Sequence, residues 1–165
     1  MANHFKKGLI PVDLIFVLIV FITILGMFVM IGYTLTDSLR VSLDASDADM
    51  NTSALNDTLD AYKVFNSGIP FIFFGFVIIS IILAVQLKTS PAISFFMFII
   101  ISVVGYIAQG MANMFYQFSR NASFTDAANE LDLIVTLQDY LPVFILIAGL
   151  AIVIFMFSKP KSYDV

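Results

Sequence analysis

Long apolar runs separated by short polar segments dominate the pattern of the chain. The runs cover residues 9–35, 69–87, 92–118 and 141–157. About 20 mostly apolar residues cross a bilayer as a helix. The runs lack the alternation of a membrane barrel, and backbone groups in lipid must bond within their own segment. We therefore expect an all-α polytopic membrane protein, with four transmembrane helices in two antiparallel hairpins and residues 1–165 as one membrane domain.

Prolines mark the starts of these runs. Pro11, Pro70, Pro91 and Pro142 each lie near the start of an apolar run, where a missing backbone N–H costs least. Only residues 88–91 connect the second and third runs. Because so short a connection favours adjacent helices, we predict that these two spans are antiparallel neighbours.

The polar segments, residues 36–68 and 119–140, carry apolar stripes of helical period. The periodicity predicts helices that continue beyond the bilayer and pack on one another; a partner-binding surface is the alternative. One stripe is Leu35, Leu39 and Leu43; another is Leu55, Leu59, Tyr62 and Asn66; the third is Leu131, Ile134, Leu137, Gln138 and Leu141.

Composition agrees with a membrane protein and excludes several chemistries. Hydrophobic residues make up 60% of the chain and charged residues 12%, against about 45–50% and about 25% in globular proteins. Cysteine is absent and His4 is the single histidine, which excludes thiolate chemistry and multi-histidine metal centres. No catalytic motif is present. We expect no enzymatic activity, no catalytic residue, no cofactor, no metal site and no nucleic-acid partner.

Charge predicts the orientation. With four spans, the basic residues outside the polar segments all fall on one side of the membrane, and the positive-inside rule makes that side cytoplasmic or interior. Both termini then lie inside, and the acidic segments 36–68 and 119–140 lie outside. The basic residues are Lys6, Lys7, Lys88, Lys159 and Lys161.

The N-terminal stretch KKGLIPVD, residues 6–13, resembles the leader of the type IV prepilin family. The resemblance implies cleavage after Gly8, with Asp13 as the fifth mature residue. The chain departs from that family because the acid is Asp rather than the usual Glu, and because pilins have one apolar helix. We expect instead a retained anchor, in which Pro11 starts the first helix. Asp13 then lies at the membrane edge, where it caps the helix or pairs with a lysine.

The third run has the richest polar face. Ser102, Gly105, Gln109 and Asn113 recur at helical spacing, and Ala108 and Ala112 form a small-xxx-small pair. These residues favour close helix packing with hydrogen bonds between helices. The alternative is a polar pore lining formed where several copies meet.

Three Asn-x-Ser/Thr sequons begin at Asn51, Asn56 and Asn121, all in the predicted outer segments. Their location would suit N-glycosylation. Polar loops rich in Asn, Ser and Thr also produce sequons by chance, and we favour that interpretation.

Size and character carry one further resemblance. The chain is small, rich in Phe and Ile, free of cysteine and basic at its start. It is similar to accessory membrane proteins of tailless icosahedral viruses with an internal membrane, and to small subunits of large membrane complexes. In the viral group this implies anchoring of a capsid to a lipid vesicle.

We therefore expect a non-catalytic structural or assembly subunit, in a cell membrane or a viral internal membrane. Its expected partners are the lipid bilayer, other membrane or capsid-type subunits, and further copies of itself. The alternative function is a small oligomeric channel, holin-like pore or transporter. A lipid-modifying enzyme is least favoured, because no catalytic cluster is visible.

Overall fold

Helices account for nearly all of the computed structural model, which describes residues 2–46, 52–86 and 91–157, and side chains within 13–46, 52–86 and 95–156. The described part contains no strand. Four of the helices are long and apolar enough to cross a membrane, so the protein is an all-α polytopic membrane protein, as predicted. The helices are α1 (Ala2–Asp44), α2 (Ser53–Gln86), α3 (Pro91–Ser119), α4 (Thr125–Glu130) and α5 (Asp132–Phe157), with a 3₁₀ turn at Ala122–Phe124.

The four long helices form a bundle of two antiparallel hairpins. Helix α1 packs against α2, and α3 packs against α5. The hairpins join because α2 also packs on α5 and α1 on α3. One end of the bundle, here called the cap end, contains the end of α1, the start of α2, the end of α3 and the start of α5, together with α4 and the 3₁₀ turn. The predicted pair of hairpins is confirmed.

Helices α2 and α3 are not packed neighbours, so that prediction is wrong. Within the described residues the extensive contacts of each are with α1 and α5, which places α2 and α3 on a diagonal of the bundle. A short connection limits only the distance between two helix ends. Four extended residues reach about 13 Å, which is enough to cross the diagonal of a bundle whose neighbouring axes lie about 8–10 Å apart.

The long helices change the position of three prolines. Helix α1 begins at Ala2, so Pro11 does not start it as expected. Pro70 and Pro142 lie inside α2 and α5, because α2 begins 17 residues before Pro70 and α5 begins 10 residues before Pro142. Only Pro91 begins its helix. Proline inside a membrane helix is tolerated where neighbouring helices and local adjustments satisfy the freed carbonyl groups.

Glycines allow the closest approaches in the bundle. The ring of Tyr62 on α2 lies over Gly32 on α1. On the other hairpin, Ile101 of α3 fills the space left by Gly149 of α5, and Leu146 of α5 lies against Gly105 of α3. Close van der Waals packing of this kind holds helices together in lipid, where hydrophobic burial adds little.

Gly75 of α2 behaves differently, since a Cβ there would meet nothing within 4 Å. Gly75 belongs to the outer face of α2 rather than to a helix interface. The interface on that part of α2 is made by buried Phe73, whose ring centroid lies 6.1 Å from that of Phe144 on α5.

At the cap end, two of the three apolar stripes pack as predicted. Leu59 on α2 is buried, and so are the stripe residues at the start of α5. The stripe on α1 does not pack, and the prediction is wrong there: Leu35 is 61% exposed and Leu39 is 56% exposed. Helix α1 instead turns a neighbouring face, which includes Met30 and Tyr33, toward α2 and α4.

Candidate functional site

Helix α3 presents two different surfaces where the sequence suggested one. Gly105, Ala108 and Ala112 are buried in the bundle. Ser102, Gln109 and Asn113 are exposed on the outside of it. At about 100° per residue the centres of the two groups lie roughly 90° apart, so both fall within one broad arc of the helix.

The exposed group belongs to a longer line of side chains, which we call the α3 seam. Successive members are alternately four and three residues apart, the spacing of a coiled-coil interface. All are exposed, and Tyr106 is 82% exposed. The α3 seam consists of Phe95, Ile99, Ser102, Tyr106, Gln109, Asn113, Tyr116 and Arg120.

The polar groups of the α3 seam are only partly satisfied by their own helix. The Ser102 hydroxyl donates to the Phe98 carbonyl oxygen at 2.9 Å. Gln109 Nε2 donates to Asn113 Oδ1 at 3.0 Å. An amide offers two N–H donors and a carbonyl acceptor. Within the described residues, the Gln109 oxygen and the two Asn113 N–H groups therefore have capacity left for another molecule.

These amides lie at the cap-side edge of the apolar part of α3. The third apolar run begins at Ala92, so a hydrocarbon core of about 20 helical residues would end near Met111, which places Gln109 about 3 Å inside its boundary and Asn113 just beyond it. Met114, one turn nearer the cap end, is 60% exposed. In lipid each unsatisfied polar group costs several kcal/mol, so this surface is unfavourable while it faces hydrocarbon.

Within the described residues, exposed polar side chains on the other spans lie near their ends, among them Gln86 at the end of α2 and Asp139 before the fourth apolar run. The exposed side chains within residues 16–28 of α1, 71–85 of α2 and 143–155 of α5 are all apolar. Among these described faces, α3 alone carries amides toward the outside of the bundle. The α3 seam is therefore the candidate functional site.

A second amide lies inside the bundle. Gln138 of α5 is fully buried, and its Oε1 lies 3.2 Å from Thr23 Oγ1 of α1. The same hydroxyl lies 2.9 Å from the Ile19 carbonyl oxygen. Gly26 lies beside this amide and gives room to Phe115 and Ile134, whose side-chain atoms would lie 3.1 Å and 3.2 Å from a Cβ there.

The hydrogen bonds of this buried amide depend on which way it is turned. As placed, Gln138 Nε2 has no partner in the described residues, and one Thr23 hydroxyl proton is shared by two acceptors. Exchanging the amide O and N lets Gln138 donate to Thr23 while Thr23 donates to Ile19. We assign this orientation, because a buried carbonyl oxygen without a partner is better tolerated than a buried N–H.

Sequence reasoning missed a shared motif of α2 and α5. Asn66 and Gln138 each lie four residues before an in-helix proline, Pro70 and Pro142. Proline has no N–H for the carbonyl four residues earlier, so each amide occurs where the backbone loses a hydrogen bond. The signal in the sequence is an amide followed by three residues and a proline, and it occurs at the start of two apolar runs.

Asn66 joins the start of α5 to α2. Its Oδ1 accepts from the Ile134 N–H at 3.0 Å, and its Nδ2 donates to Asp132 Oδ1 at 2.9 Å. The first N–H groups of a helix have no partner within it. The Ile134 N–H also lies 3.1 Å from the Leu131 carbonyl oxygen, so Asn66 is a second acceptor for it, supplied by another helix.

Charged groups at the cap end form exposed pairs. Lys63 Nζ lies 3.2 Å from Glu130 Oε2, and Arg40 lies 2.7 Å from Asp37. Lys63 precedes the apolar run of α2, and its hydrogen bond to Glu130 raises the pKa of its ammonium group. Exposed pairs contribute little to stability, so these charges mainly keep the cap end polar.

A cleft of about 360 Å³ also opens at the cap end. Its lining comprises Ser119, Arg120, Thr125, Ala128, Asn129 and Val135. It adjoins the last residue of the α3 seam, where the Arg120 guanidinium lies 5.1 Å from the centre of the Tyr116 ring. No group of three metal-ligating side chains occurs in the part of the chain that the structure describes.

The predicted anchor residues lie mostly outside the described side chains. Asp13 is exposed on α1, and no ion pair joins it to another described residue. Lys6 and Lys7 belong to α1, but their side chains are outside the described set. The remaining anchors, Lys88, Lys159 and Lys161, are outside the described residues altogether.

The sequon asparagines differ in their surroundings. Asn51 lies outside the described residues, and Asn56 is exposed in the first turn of α2. Asn121 is exposed as well, but its side chain accepts a hydrogen bond from the Ser123 N–H at 3.0 Å and caps the 3₁₀ turn. That asparagine therefore has a structural use independent of modification.

Comparison with known proteins adds no relative. No protein-family model matches the chain, no curated protein matches it, and no solved structure matches it.

Proposed function

We propose that the protein is a non-catalytic structural or assembly subunit of a larger membrane assembly, held to its partner through the α3 seam. The observation that carries the proposal is the pair of exposed amides, Gln109 and Asn113, at the cap-side edge of the third apolar run. Polar side chains that hydrogen-bond across helices are a recurring means of association in membranes. A protein surface that supplies donors and acceptors would remove the cost of holding these groups against lipid.

The cap end supports the same proposal. Leu35 and Leu39 are more than half exposed and continue the outer face of α1 past the level of Gly32 and Tyr62. Tyr62 precedes Ile69, the start of the apolar run of α2, by seven residues, which is about 10 Å of helix. Apolar side chains beyond the bilayer are suited to contact with another subunit.

The α3 seam argues against a pore. Its polar part begins at Ser102, whereas Phe95 and Ile99 continue the line toward the other end of the bundle. Copies arranged around a water path would expose these two large apolar side chains to it for about 10 Å. A packing interface accepts both parts, because coiled-coil seams combine apolar layers with occasional amides.

Location and partners follow from the charge pattern and belong to this proposal. The end opposite the cap carries the basic anchor residues and faces the cytoplasm or the interior of a virion. The acidic cap end faces outward, toward other membrane or capsid-type subunits. The membrane is that of a cell or an internal viral membrane.

Solute flux and assembly, measured on the same samples, test this function. The full chain and the double variant Gln109→Leu, Asn113→Leu are reconstituted into vesicles loaded with a small fluorescent anion or with potassium. We expect no flux above that of protein-free vesicles for either protein, together with loss of assembly in the variant. Flux through the unaltered chain that the double variant abolishes, with assembly intact, would overturn the structural function in favour of a pore.

A further inference from the structure

We propose that the partner of the α3 seam is a second copy of this chain, which forms a two-fold symmetric dimer with parallel α3 helices. This inference rests on the assembly function proposed above and identifies the partner at that same surface.

Membrane insertion fixes the relative direction of the two helices. Copies inserted with the same topology have parallel α3 helices. A two-fold axis along the membrane normal then places the α3 seam of one copy against the α3 seam of the other. In a parallel two-stranded coiled coil, equivalent residues meet in layers. The layers of the α3 seam would pair Gln109 with Gln109 and Asn113 with Asn113.

The chemistry of the α3 seam is self-complementary. An amide donates and accepts, so two identical amides can bond to each other. The free Asn113 N–H groups of one copy can reach the free Gln109 oxygen of the other, while the Gln109–Asn113 bond within each helix is kept. A single polar Asn layer is also a known means of fixing register and a two-stranded state.

The α3 seam itself carries little charge. From Phe95 to Tyr116 the α3 seam carries no ionisable group except tyrosine hydroxyls. Arg120, the one cation of the seam, lies beyond the apolar part of the helix and is stacked on Tyr116. The two arginines of a dimer would therefore lie in a polar, solvated region, where like charges repel weakly.

Gly110 supplies room for a second helix. It adjoins Gln109 on the outside of the bundle, and a Cβ there would meet nothing within 4 Å. A small residue beside an interface lets two backbones approach closely. Gly75 on α2 is equally open but has only apolar exposed neighbours, so it provides a matched control.

Cysteine crosslinking tests the geometry directly, because the chain contains no cysteine. Single variants Gln109→Cys and Asn113→Cys are compared with Ile79→Cys on α2 and Ile147→Cys on α5, in the full chain in native-like vesicles. Two cysteines form a disulfide when their Cα atoms come within about 7 Å. We expect oxidised dimers from both α3 variants and none from the controls. Equal crosslinking at all four positions would show random collision and overturn the dimer.

A second measurement separates the dimer from other occupants. Energy transfer between labelled copies, diluted with lipid, gives the dimer dissociation constant. Gln109→Leu with Asn113→Leu should weaken the dimer by about tenfold or more. Gly110→Leu should weaken it as well, while Gly75→Leu should leave it unchanged. Crosslinking of the α3 cysteines to a different protein would overturn self-association but keep the assembly function; no association with any protein would overturn both.

Discussion

Side-chain amides occur in two different surroundings in this protein, one inside the bundle and the other on its outer surface. Gln138 is enclosed by the bundle and has Thr23 of α1 beside it. Gln109 and Asn113 face outward from α3 and have only each other. The enclosed amide has one partner within the chain, Thr23, and one polar atom without a partner in the described residues, whereas the exposed pair bonds only within α3.

The comparison separates a structural from an associative use of the same side chain. A buried amide with a partner orients α1 and α5 without need of another molecule. An exposed amide at the edge of an apolar run gains no such partner from the monomer, and lipid offers neither donor nor acceptor. Substitutions at the enclosed amide should change the stability of the bundle, whereas those on the α3 seam should change only association.

The largest expected effect is that of Gln138→Glu. It places a carboxyl group among apolar side chains, where the charged form is strongly disfavoured and the pKa of the new acid is raised. We expect a loss of about 3–5 kcal/mol near neutral pH. Gln117→Glu, at an exposed position near the cap end, should change stability little.

The loss of stability caused by Gln138→Glu should depend on pH. An acid whose pKa is raised by folding costs stability only where the unfolded chain is ionised. The loss should therefore be small below about pH 4.3, the ordinary pKa of Glu, and should grow as pH rises above it. Unfolding of the purified protein in mild detergent, followed at several pH values, measures the difference. A loss independent of pH would contradict this account.

A smaller effect is expected where α3 meets α5. Gly149→Ala would bring a methyl group against the side chain of Ile101, a β-branched residue with little rotamer freedom. Overpacking of this kind costs about 1–3 kcal/mol. The matched change Gly75→Ala, on an open helix face, should be neutral or stabilise by up to about 1 kcal/mol, since Ala is the better helix former. Thermal unfolding compares the two; equal effects would refute the close contact.

Asn66→Ala should cost about 0.5–1 kcal/mol, the lower part of the range for a helix-capping side chain, because the Ile134 N–H keeps the Leu131 carbonyl as an acceptor. The alanine leaves the Ile134 N–H and the Asp132 carboxylate without their partner on α2. Ser67→Ala is the control, because the Ser67 hydroxyl bonds only to the Val64 carbonyl of its own helix. Amide hydrogen exchange at the start of α5 should become faster in the Asn66 variant alone, and unchanged protection there would rule out the cap.

Much of the fold follows from the sequence, because long apolar runs without alternation satisfy their backbone hydrogen bonds in lipid by forming helices. The four helices and two hairpins are predictable on that basis. The choice between neighbouring faces of a helix is not. Leu39 and Tyr33 lie on adjacent faces of α1 at the cap end, and only the position of α2 and α4 decides that Tyr33 is buried.

The same limit applies to the candidate site. Gly105 and Gln109 share one arc of α3 in the sequence, and periodicity alone places both toward one neighbour. The structure divides them because Leu146 of α5 fills the space over Gly105. The position of the ridge on the adjacent helix depends on both helices that pack together. The sequence pattern of one helix does not determine it.

The smallest expected effect on stability belongs to the α3 seam itself. Gln109→Leu with Asn113→Leu removes an exposed bond between two turns of one helix, worth about 0.2–0.5 kcal/mol, and Leu is the better helix former. Unfolding of the monomer, at detergent concentrations that separate single chains, should therefore shift by less than about 0.5 kcal/mol. A large loss of monomer stability would show that the amides hold the bundle together, and the distinction between the enclosed and the exposed amides would fail. An unchanged monomer that no longer associates is the result expected if these side chains serve a second molecule.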